Sequence, residues 1–223
     1  MIRFLAQLCL ALLAIPLTLS VLYNFANPAS TLMLYRLATG QRVERIWTPI
    51  SQMSPTLVRT VVASEDTRFC SHIGIDITEM RNVAEKADDL EDLRGTSTIT
   101  MQVVKNLFLW QRPEVPRKLL EIPLALWLDL VMSKRRIMEI YLNIAEWGPD
   151  GTFGVAAASR EAFGLSPARV GAGQAALLAV MLPNPLRRSA GNPGPGMQRL
   201  AARLEARVPR EAADMIACLH LRD

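Results

Sequence analysis

Glu65 is a carboxylate at a position where helical periodicity predicts an apolar surface. A serine and a proline at positions 54 and 55 are typical of a helix start, and Gly74 is typical of a helix stop. The apolar stripe that includes position 65 consists of Val58, Val61, Val62 and Phe69. Because burial disfavours the charged form, it raises the pKa of a carboxyl toward the range useful to a general base or acid. The alternative is a structural glutamate paired with a nearby cation such as Arg68.

Glu121 is a second carboxylate in an apolar setting. The residues three, four and seven positions after it are Leu124, Ala125 and Leu128. A long helical stretch is predicted from Arg117 onward, so this glutamate is also expected on an apolar stripe.

A glycine followed by hydroxyl residues opens another predicted helix, between positions 95 and 106. Its N-terminus would offer backbone N–H groups and the positive end of the helix dipole to an anion. Thr98, Gln102 and Lys105 stack on one side of this helix. A lysine two turns from such a start is a reasonable grip for a pyrophosphate. The same pattern also describes an ordinary capped amphipathic helix.

The elements that must position these residues follow an apolar N-terminus. Phe4 to Tyr23 is an uncharged run of about twenty residues, long enough to cross a bilayer core about 30 Å thick. Arg3 and the amino terminus precede it, which favours a cytoplasmic N-terminus. We therefore expect a retained single-pass anchor. The alternative is a cleaved signal peptide, but the run is long for one and no clean small-residue cleavage site follows.

Composition narrows the classes of function. The net charge of +4 and the pI near 9.2 suit an anionic partner, such as anionic lipid or a phosphorylated substrate. No nucleic-acid motif appears, so no nucleic-acid partner is expected. Two histidines argue against a His-based triad, and the spacing of Cys and His fits no metal cage. Three cysteines are too few for a disulfide framework. Cys70 and Cys218 could pair only if the fold brings them together, which we do not expect.

Predicted helices greatly outnumber strands, so the fold class is mainly α. We expect an anchor and its flank at 1–30, a catalytic domain at 31–190, and a Gly/Pro loop with a C-terminal helix packing on that domain at 191–223. Segment 77–94 is charge-rich and is either a solvated face or a mobile flap. The apolar patch 107–110 either joins the core or dips into the membrane. The final helix carries Arg199, Arg203 and Arg207 on one side.

Four ordered motifs together resemble the peptidoglycan glycosyltransferases of glycosyltransferase family 51. The resemblance covers roughly residues 45–190, because the segments 175–179 and 182–185 are also similar. The matching positions are Glu65, Asp66, Phe69, His72, Gly74 and Asp76; Gly95, Ser97, Thr98, Ile99, Thr100, Gln102, Lys105 and Asn106; Arg117, Lys118 and Glu121; and Ser133, Lys134, Ile137, Tyr141, Leu142 and Asn143. About forty residues follow Pro183, far fewer than a transpeptidase domain needs, so the monofunctional members are the better match.

The resemblance implies a lysozyme-like helical lobe with a small, mobile, membrane-facing lobe. It implies the substrate lipid II, a disaccharide-pentapeptide on undecaprenyl pyrophosphate, and a growing glycan strand joined by β-1,4 bonds. The expected location is the bacterial inner membrane, single-pass, with the catalytic domain periplasmic. Membrane lipid is an expected partner, and other cell-wall synthesis or cell-division proteins are further candidates.

The resemblance also implies roles for several of the matching residues. Glu65 would be the general base, and Glu121 would lie near the leaving pyrophosphate. The donor site would be lined by Ser97, Thr98, Gln102 and Lys105, with further positive charge from Arg117 and Lys118, while Asp66 would support the site around Glu65. No dedicated metal ligands are assigned, although Glu65 or Glu121 could meet a divalent cation, Mg²⁺ or Mn²⁺, through the pyrophosphate. Met101 stands where the family usually has glutamine, on the same predicted face as Lys105, so one donor-site hydrogen bond is expected to be missing.

Two other functions compete with this interpretation. A lysozyme-like lytic enzyme would use Glu65 as an acid, with a water or a second carboxylate across the sugar. Such an enzyme would have little use for Lys105 beside a hydroxyl-rich helix start. A catalytically weak, membrane-anchored scaffold for cell-wall proteins is the other alternative, and Met101 is its only support.

Overall fold

The computed structural model describes residues 2–85, 97–110 and 114–221. Over these ranges the chain is mainly helical, as predicted, with ten α-helices and one pair of two-residue strands. The helices are α1 (Ile2–Leu22), α2 (Thr31–Ala38), α3 (Pro55–Glu65), α4 (Ile77–Ala84), α5 (Ile99–Phe108), α6 (Glu114–Val131), α7 (Lys134–Ile144), α8 (Val155–Phe163), α9 (Ala172–Met181) and α10 (Pro195–Met215). The strands β1 (Glu44–Arg45) and β2 (Thr152–Phe153) pair in parallel.

Two groups of packed helices form the core. α3 packs against α9 and α10, and α5 packs against α6 and α7. The apolar stripe of α3 is fully buried, as are the core faces of α5 and α7. Glu65 ends α3 and Gln102 lies on α5, so the two groups meet at these polar side chains.

α3 ends at Glu65, nine residues before the glycine that the sequence indicates as its stop. The reason is tertiary, because Asp66 leaves the helix to bond residues far along the chain. Its Oδ2 accepts the backbone N–H of Ile99, the first residue of α5, at 3.0 Å. The chain then turns through residues 67–71, and Phe69 enters the core from this turn and not from the helix.

Gly74 joins this turn to two helices. Its φ is +72°, and a Cβ at this position would lie 2.4 Å from the carbonyl oxygen of Ala125 in α6. Its own carbonyl accepts a hydrogen bond of 2.6 Å from Thr98 Oγ1, next to the start of α5. The position therefore requires a glycine for both conformation and space.

The apolar N-terminal run does form a helix, and its C-terminal half packs on α6. Trp127 Nε1 donates to the Leu17 carbonyl at 3.3 Å, and Asn24 Nδ2 donates to the Val131 carbonyl at 3.1 Å. Within the described ranges, no helix combines the length and apolarity that crossing a membrane requires. The membrane anchor therefore stays a prediction.

Cys70 and Cys218 form a disulfide with a Cα–Cα distance of 5.5 Å, so the expectation that they would not pair is wrong. The pairing depends on the C-terminal part of the chain. α10 packs on α3 and α9, and the short turn Ala217–Leu219 then packs on α7. This path carries Cys218 back to the turn that follows Glu65, a closeness that sequence spacing does not reveal.

The predicted flap at 77–94 is only partly described. It begins with α4, which Asp76 caps by accepting the N–H of Glu79 at 3.0 Å. Residues 86–96, with most of the charge cluster and Gly95, lie outside the described residues. In the patch 107–110, Leu107 and Leu109 join the core, whereas Trp110 is exposed.

Candidate active site

Glu65 accepts hydrogen bonds at the C-terminal end of α3. Gln102 Nε2 donates to its Oε2 at 3.0 Å, and Ser64 Oγ lies 3.4 Å from its Oε1. Burial raises the pKa of Glu65 above its ordinary value, although both hydrogen bonds and the charge of Lys105 oppose this shift. Arg68 instead lies 3.4 Å from Asp76, so the alternative of an ion pair between Arg68 and Glu65 is not realised.

Tyr141 fixes the orientation of the Gln102 amide. Its hydroxyl donates to Gln102 Oε1 at 3.1 Å, which directs the amide N–H₂ toward Glu65. Burial and the nearby charges of Glu65 and Asp66 raise the pKa of Tyr141 well above its ordinary value, so the hydroxyl remains a donor. In the sequence, Tyr141 belongs to one of the four motifs of the family resemblance, but no role is assigned to it there.

Asp66 holds the turn after Glu65 against α5. In addition to the Ile99 N–H, both of its carboxylate oxygens lie 3.0 Å from Nε2 of the buried His72. A carboxylate with this many donors is rigidly placed. Since Glu65 is the preceding residue, these bonds also fix where its backbone lies.

A cavity of about 180 Å³ opens beside Glu65. Four predicted site residues line it, namely Glu65, Asp66, Ser97 and Thr98. Thr98 caps α5 by accepting the N–H of Met101 at 3.1 Å. The other side of the cavity includes Arg207 of α10, whose guanidinium donates to the Ala63 carbonyl. The sequence indicates Arg207 only as part of a charged helix face.

Gln102, the residue that donates to Glu65, lines a second cavity of about 330 Å³. Three predicted site residues line it, namely Gln102, Lys105 and Arg117. Further polar lining residues, to which the sequence assigns no role, include Asn106, Glu146 and Asn184. Glu146 accepts from Arg36 Nη2 at 2.7 Å, and burial raises its pKa. The cation pair Lys105 and Arg117 gives this cavity a site for an anion.

Glu121 lies one turn after Arg117 in α6 and is 1% exposed. It accepts a hydrogen bond from the Arg117 guanidinium. Its observed contact therefore positions a cation that lines the second cavity. Lys118 is half-buried on the same turn and, among the described residues, is not part of the lining of either cavity.

Met101, expected on the cavity face beside Lys105, is 2% exposed and packs in the core. The single glutamine at 102 makes the contact to Glu65. The side chain of Met101 thus lies in the packed interior and not in the lining of the second cavity beside Lys105. The missing donor-site hydrogen bond stays a prediction.

No three His, Cys, Asp or Glu side chains in the described ranges are grouped so that they could hold a metal ion. Glu65 bonds to Gln102 and Glu121 bonds to Arg117, so the two candidate carboxylates are engaged by protein donors. These residues do not form a metal cage by themselves.

The chain is similar to known proteins over most of its length. The model of the transglycosylase family matches residues 32–208. A biosynthetic peptidoglycan transglycosylase of Rhodopseudomonas palustris strain TIE-1 is 54% identical over 217 residues, covering 97% of this chain and 91% of the relative. Proteins of the same name from Nitrobacter winogradskyi and Rhizobium meliloti are 53% and 50% identical, covering 97% and 98% of this chain and 95% and 92% of their own lengths. The chain therefore belongs to the transglycosylase family.

Proposed function

We propose that this enzyme polymerises peptidoglycan glycan strands, joining lipid II disaccharide units by β-1,4 bonds and releasing undecaprenyl pyrophosphate. One observation carries the proposal: Glu65 lines the first cavity and accepts a hydrogen bond from Gln102, which lines the second cavity. The first cavity offers a base and hydroxyl groups, and its lining has four carboxylates against two arginines. The second is lined by the cations Lys105 and Arg117 and by one carboxylate, Glu146, which is already paired with an arginine. A sugar acceptor and a pyrophosphate donor need this division. The names of the relatives agree with it.

Glu65 is the general base of the proposed reaction. It takes the proton from the 4-hydroxyl of the acceptor sugar, and that oxygen attacks the anomeric carbon of the growing strand. The bond from this carbon to the pyrophosphate oxygen breaks on the opposite face, which inverts the configuration. Burial raises the pKa of Glu65, which makes its carboxylate a stronger base than an exposed glutamate.

Lys105 and Arg117 stabilise the negative charge that develops on the departing pyrophosphate. Glu121 is a positioning residue, because its buried carboxylate holds the Arg117 guanidinium at the cavity wall. A divalent cation, Mg²⁺ or Mn²⁺, would supply further positive charge to the pyrophosphate, with ligands coming mainly from the substrate. Preorganised charge and positioning are expected to provide most of the rate enhancement.

A lipid-linked substrate requires a protein at the membrane surface. α6 exposes Leu119, Leu126 and Leu130 on one face, and α1 packs on the same helix. Exposed leucines at helical spacing are typical of a surface that contacts lipid. We place the enzyme at the inner membrane with α1 as its anchor and the catalytic part in the periplasm. The disulfide supports this location, because such bonds persist in oxidising compartments.

The test is incubation of the purified full chain with labelled lipid II and a divalent cation, followed by resolution of the glycan products. We expect the wild type to form polymer. The rate for Glu65→Gln should be lower by roughly 100-fold or more, because a positioned base contributes at least that factor. The exposed Glu205→Gln in α10 is the matched control and is expected to polymerise normally.

Three outcomes would contradict the proposal in different ways. If the wild type and Glu65→Gln formed equal amounts of polymer, Glu65 would not be the general base. Cutting of pre-formed glycan without polymer would favour a lytic enzyme. A folded wild-type protein that is inactive in both assays would favour the scaffold.

A further inference from the structure

A third cavity, of about 320 Å³, lies between α9 and α10. The proposed function uses it neither for the acceptor sugar nor for the pyrophosphate. We call it the arginine groove. Three arginines, namely Arg188, Arg203 and Arg207, line it together with Ser64, Pro183 and apolar side chains. Three guanidinium groups thus surround an otherwise largely apolar channel, and the described lining contains no Asp or Glu.

The arginine groove adjoins both cavities of the active site. Ser64 and Arg207 line it together with the Glu65 cavity, and Pro183 lines it together with the second cavity. Ser64 immediately precedes Glu65 in the chain, so the groove opens beside the proposed base. The two cavities and the arginine groove are therefore neighbours in the region of Glu65. An acceptor and a donor without side branches would need only the two cavities.

The side chains of the groove are suited to a carboxylate-bearing ligand. Arg188 donates to the Val180 carbonyl at 2.5 Å, which fixes its guanidinium at the wall. A guanidinium has five N–H donors, so this single bond leaves Arg188 able to bind a carboxylate. Val180, Pro183 and Leu204 add apolar surface suited to small aliphatic side chains.

We propose that the arginine groove binds the peptide branch of the acceptor substrate through its carboxylate groups. This inference rests on the proposed function, in which the acceptor is a disaccharide carrying a pentapeptide. Its attacking sugar must lie at Glu65, and its peptide leaves the adjacent sugar. The groove shares two residues with the Glu65 cavity and one with the second cavity, which favours the acceptor's peptide over the donor's.

The test compares two substrates and three proteins. The substrates are lipid II with its native peptide and lipid II whose peptide carboxylates are converted to amides. The proteins are the wild type, Arg203→Gln in the groove, and Arg199→Gln, a matched exposed arginine one turn away on α10 and outside the groove lining. The kinetic measurement is KM and kcat for polymerisation.

For the wild type we expect amidation to raise KM about fivefold with little change in kcat. A change in KM of about fivefold is the effect expected from the loss of one partly exposed ion pair. For Arg203→Gln we expect a similarly raised KM with the native substrate and no further effect of amidation. Arg199→Gln should retain the wild-type discrimination. A double-mutant cycle then assigns the interaction to Arg203 and the peptide carboxylates.

Binding of the soluble disaccharide-pentapeptide, in acid and amide forms, separates this inference from the proposed function because it requires no polymerisation. Tighter binding of the acid form by the wild type, lost in Arg203→Gln, supports the groove even if no polymer forms. If the wild type bound the acid and amide forms equally and showed the same KM for both lipid II substrates, the proposal that the groove binds the peptide carboxylates would be overturned. That result stands whether or not Arg203→Gln folds, and whether or not polymer is made.

Discussion

Glu65 has an energetic cost that follows from its pKa. Because the folded-state pKa lies above the ordinary value near 4.5, the folded protein binds this proton more tightly than the unfolded chain does. Between the unfolded and folded pKa values, stability therefore falls as pH rises. Above the folded pKa the whole cost is present. Burial makes Glu65 a better base for the reaction, but it also lowers the free energy of unfolding, because the charged carboxylate is less well solvated in the folded protein.

We therefore predict that Glu65→Gln stabilises the protein at neutral pH by about 1 kcal/mol, a few degrees in Tm. The gain should shrink as pH falls toward 4, because the wild-type carboxyl is then neutral as well. Thermal unfolding of both proteins across this pH range measures the effect, with Glu205→Gln as a control that should show no gain. A stabilisation that grew at acid pH would contradict the assigned direction of the shift.

Tyr141→Phe should change the pH dependence of activity. Without the hydroxyl, the Gln102 amide can rotate, and Glu65 loses a hydrogen bond that lowers its pKa. The acidic limb of kcat/KM should move to higher pH, with roughly tenfold less activity on that limb and a smaller loss at neutral pH. Tyr35→Phe, at an exposed tyrosine, is the control. An unshifted profile in Tyr141→Phe would show that Tyr141 acts only by packing.

Helical spacing predicts the site residues that share one helix, but it misses Tyr141 and Arg207, which come from distant elements. Thr98, Gln102 and Lys105 can be grouped because helical spacing alone places them on one side of α5. Tyr141 and Arg207 reach the same region from α7 and α10, so only the tertiary structure reveals their contacts. Charge and periodicity carry no information about such approaches.

At the scale of elements, the active site depends on how the turn after α3 is held against α5 and α6. Asp66, His72 and Gly74 make these contacts. The sequence suggests a longer helix because Phe69 continues the apolar period of α3. A carboxylate that bonds a residue 33 positions away overrides that local pattern.

Gly74→Ala should be strongly destabilising. The added Cβ would meet the Ala125 carbonyl oxygen at 2.4 Å, in a backbone conformation with positive φ. We expect a loss of about 3 kcal/mol or more in the free energy of unfolding, measured with denaturant. Gly164→Ala is the matched control, since its φ is +67° but a Cβ added there would have no neighbouring atom within 4 Å. That control should lose only about 1 kcal/mol. Equal losses would show that the contact with α6 does not matter.

At the scale of the whole molecule, α10 and the disulfide bring the end of the described chain to the active site. α10 packs on α3 and supplies Arg207 to the Glu65 cavity. The fold class can be predicted because helix patterns are local. The disulfide cannot, because its cysteines are 148 positions apart and nothing near either one indicates a partner.

Removal of the disulfide should lower the stability of the full chain. Cross-linking residues so far apart restricts the unfolded ensemble, so Cys218→Ser should cost about 2–5 kcal/mol. Denaturant unfolding with and without reductant measures this cost. Cys9→Ser should leave the wild-type sensitivity to reductant intact. If the reductant did not affect the wild type, the bond would contribute nothing to stability.

The same cross-link has a consequence for a protein exposed to proteases. Glu65 and Asp66 lie just before Cys70, whereas Ser97, Lys105, Arg117 and Glu121 all lie between the two cysteines. A single cut of the backbone anywhere between positions 70 and 218 would therefore leave two pieces joined as one covalent molecule. The base and the cations that serve the leaving group could not diffuse apart after such a cut, and only a reducing gel would reveal it.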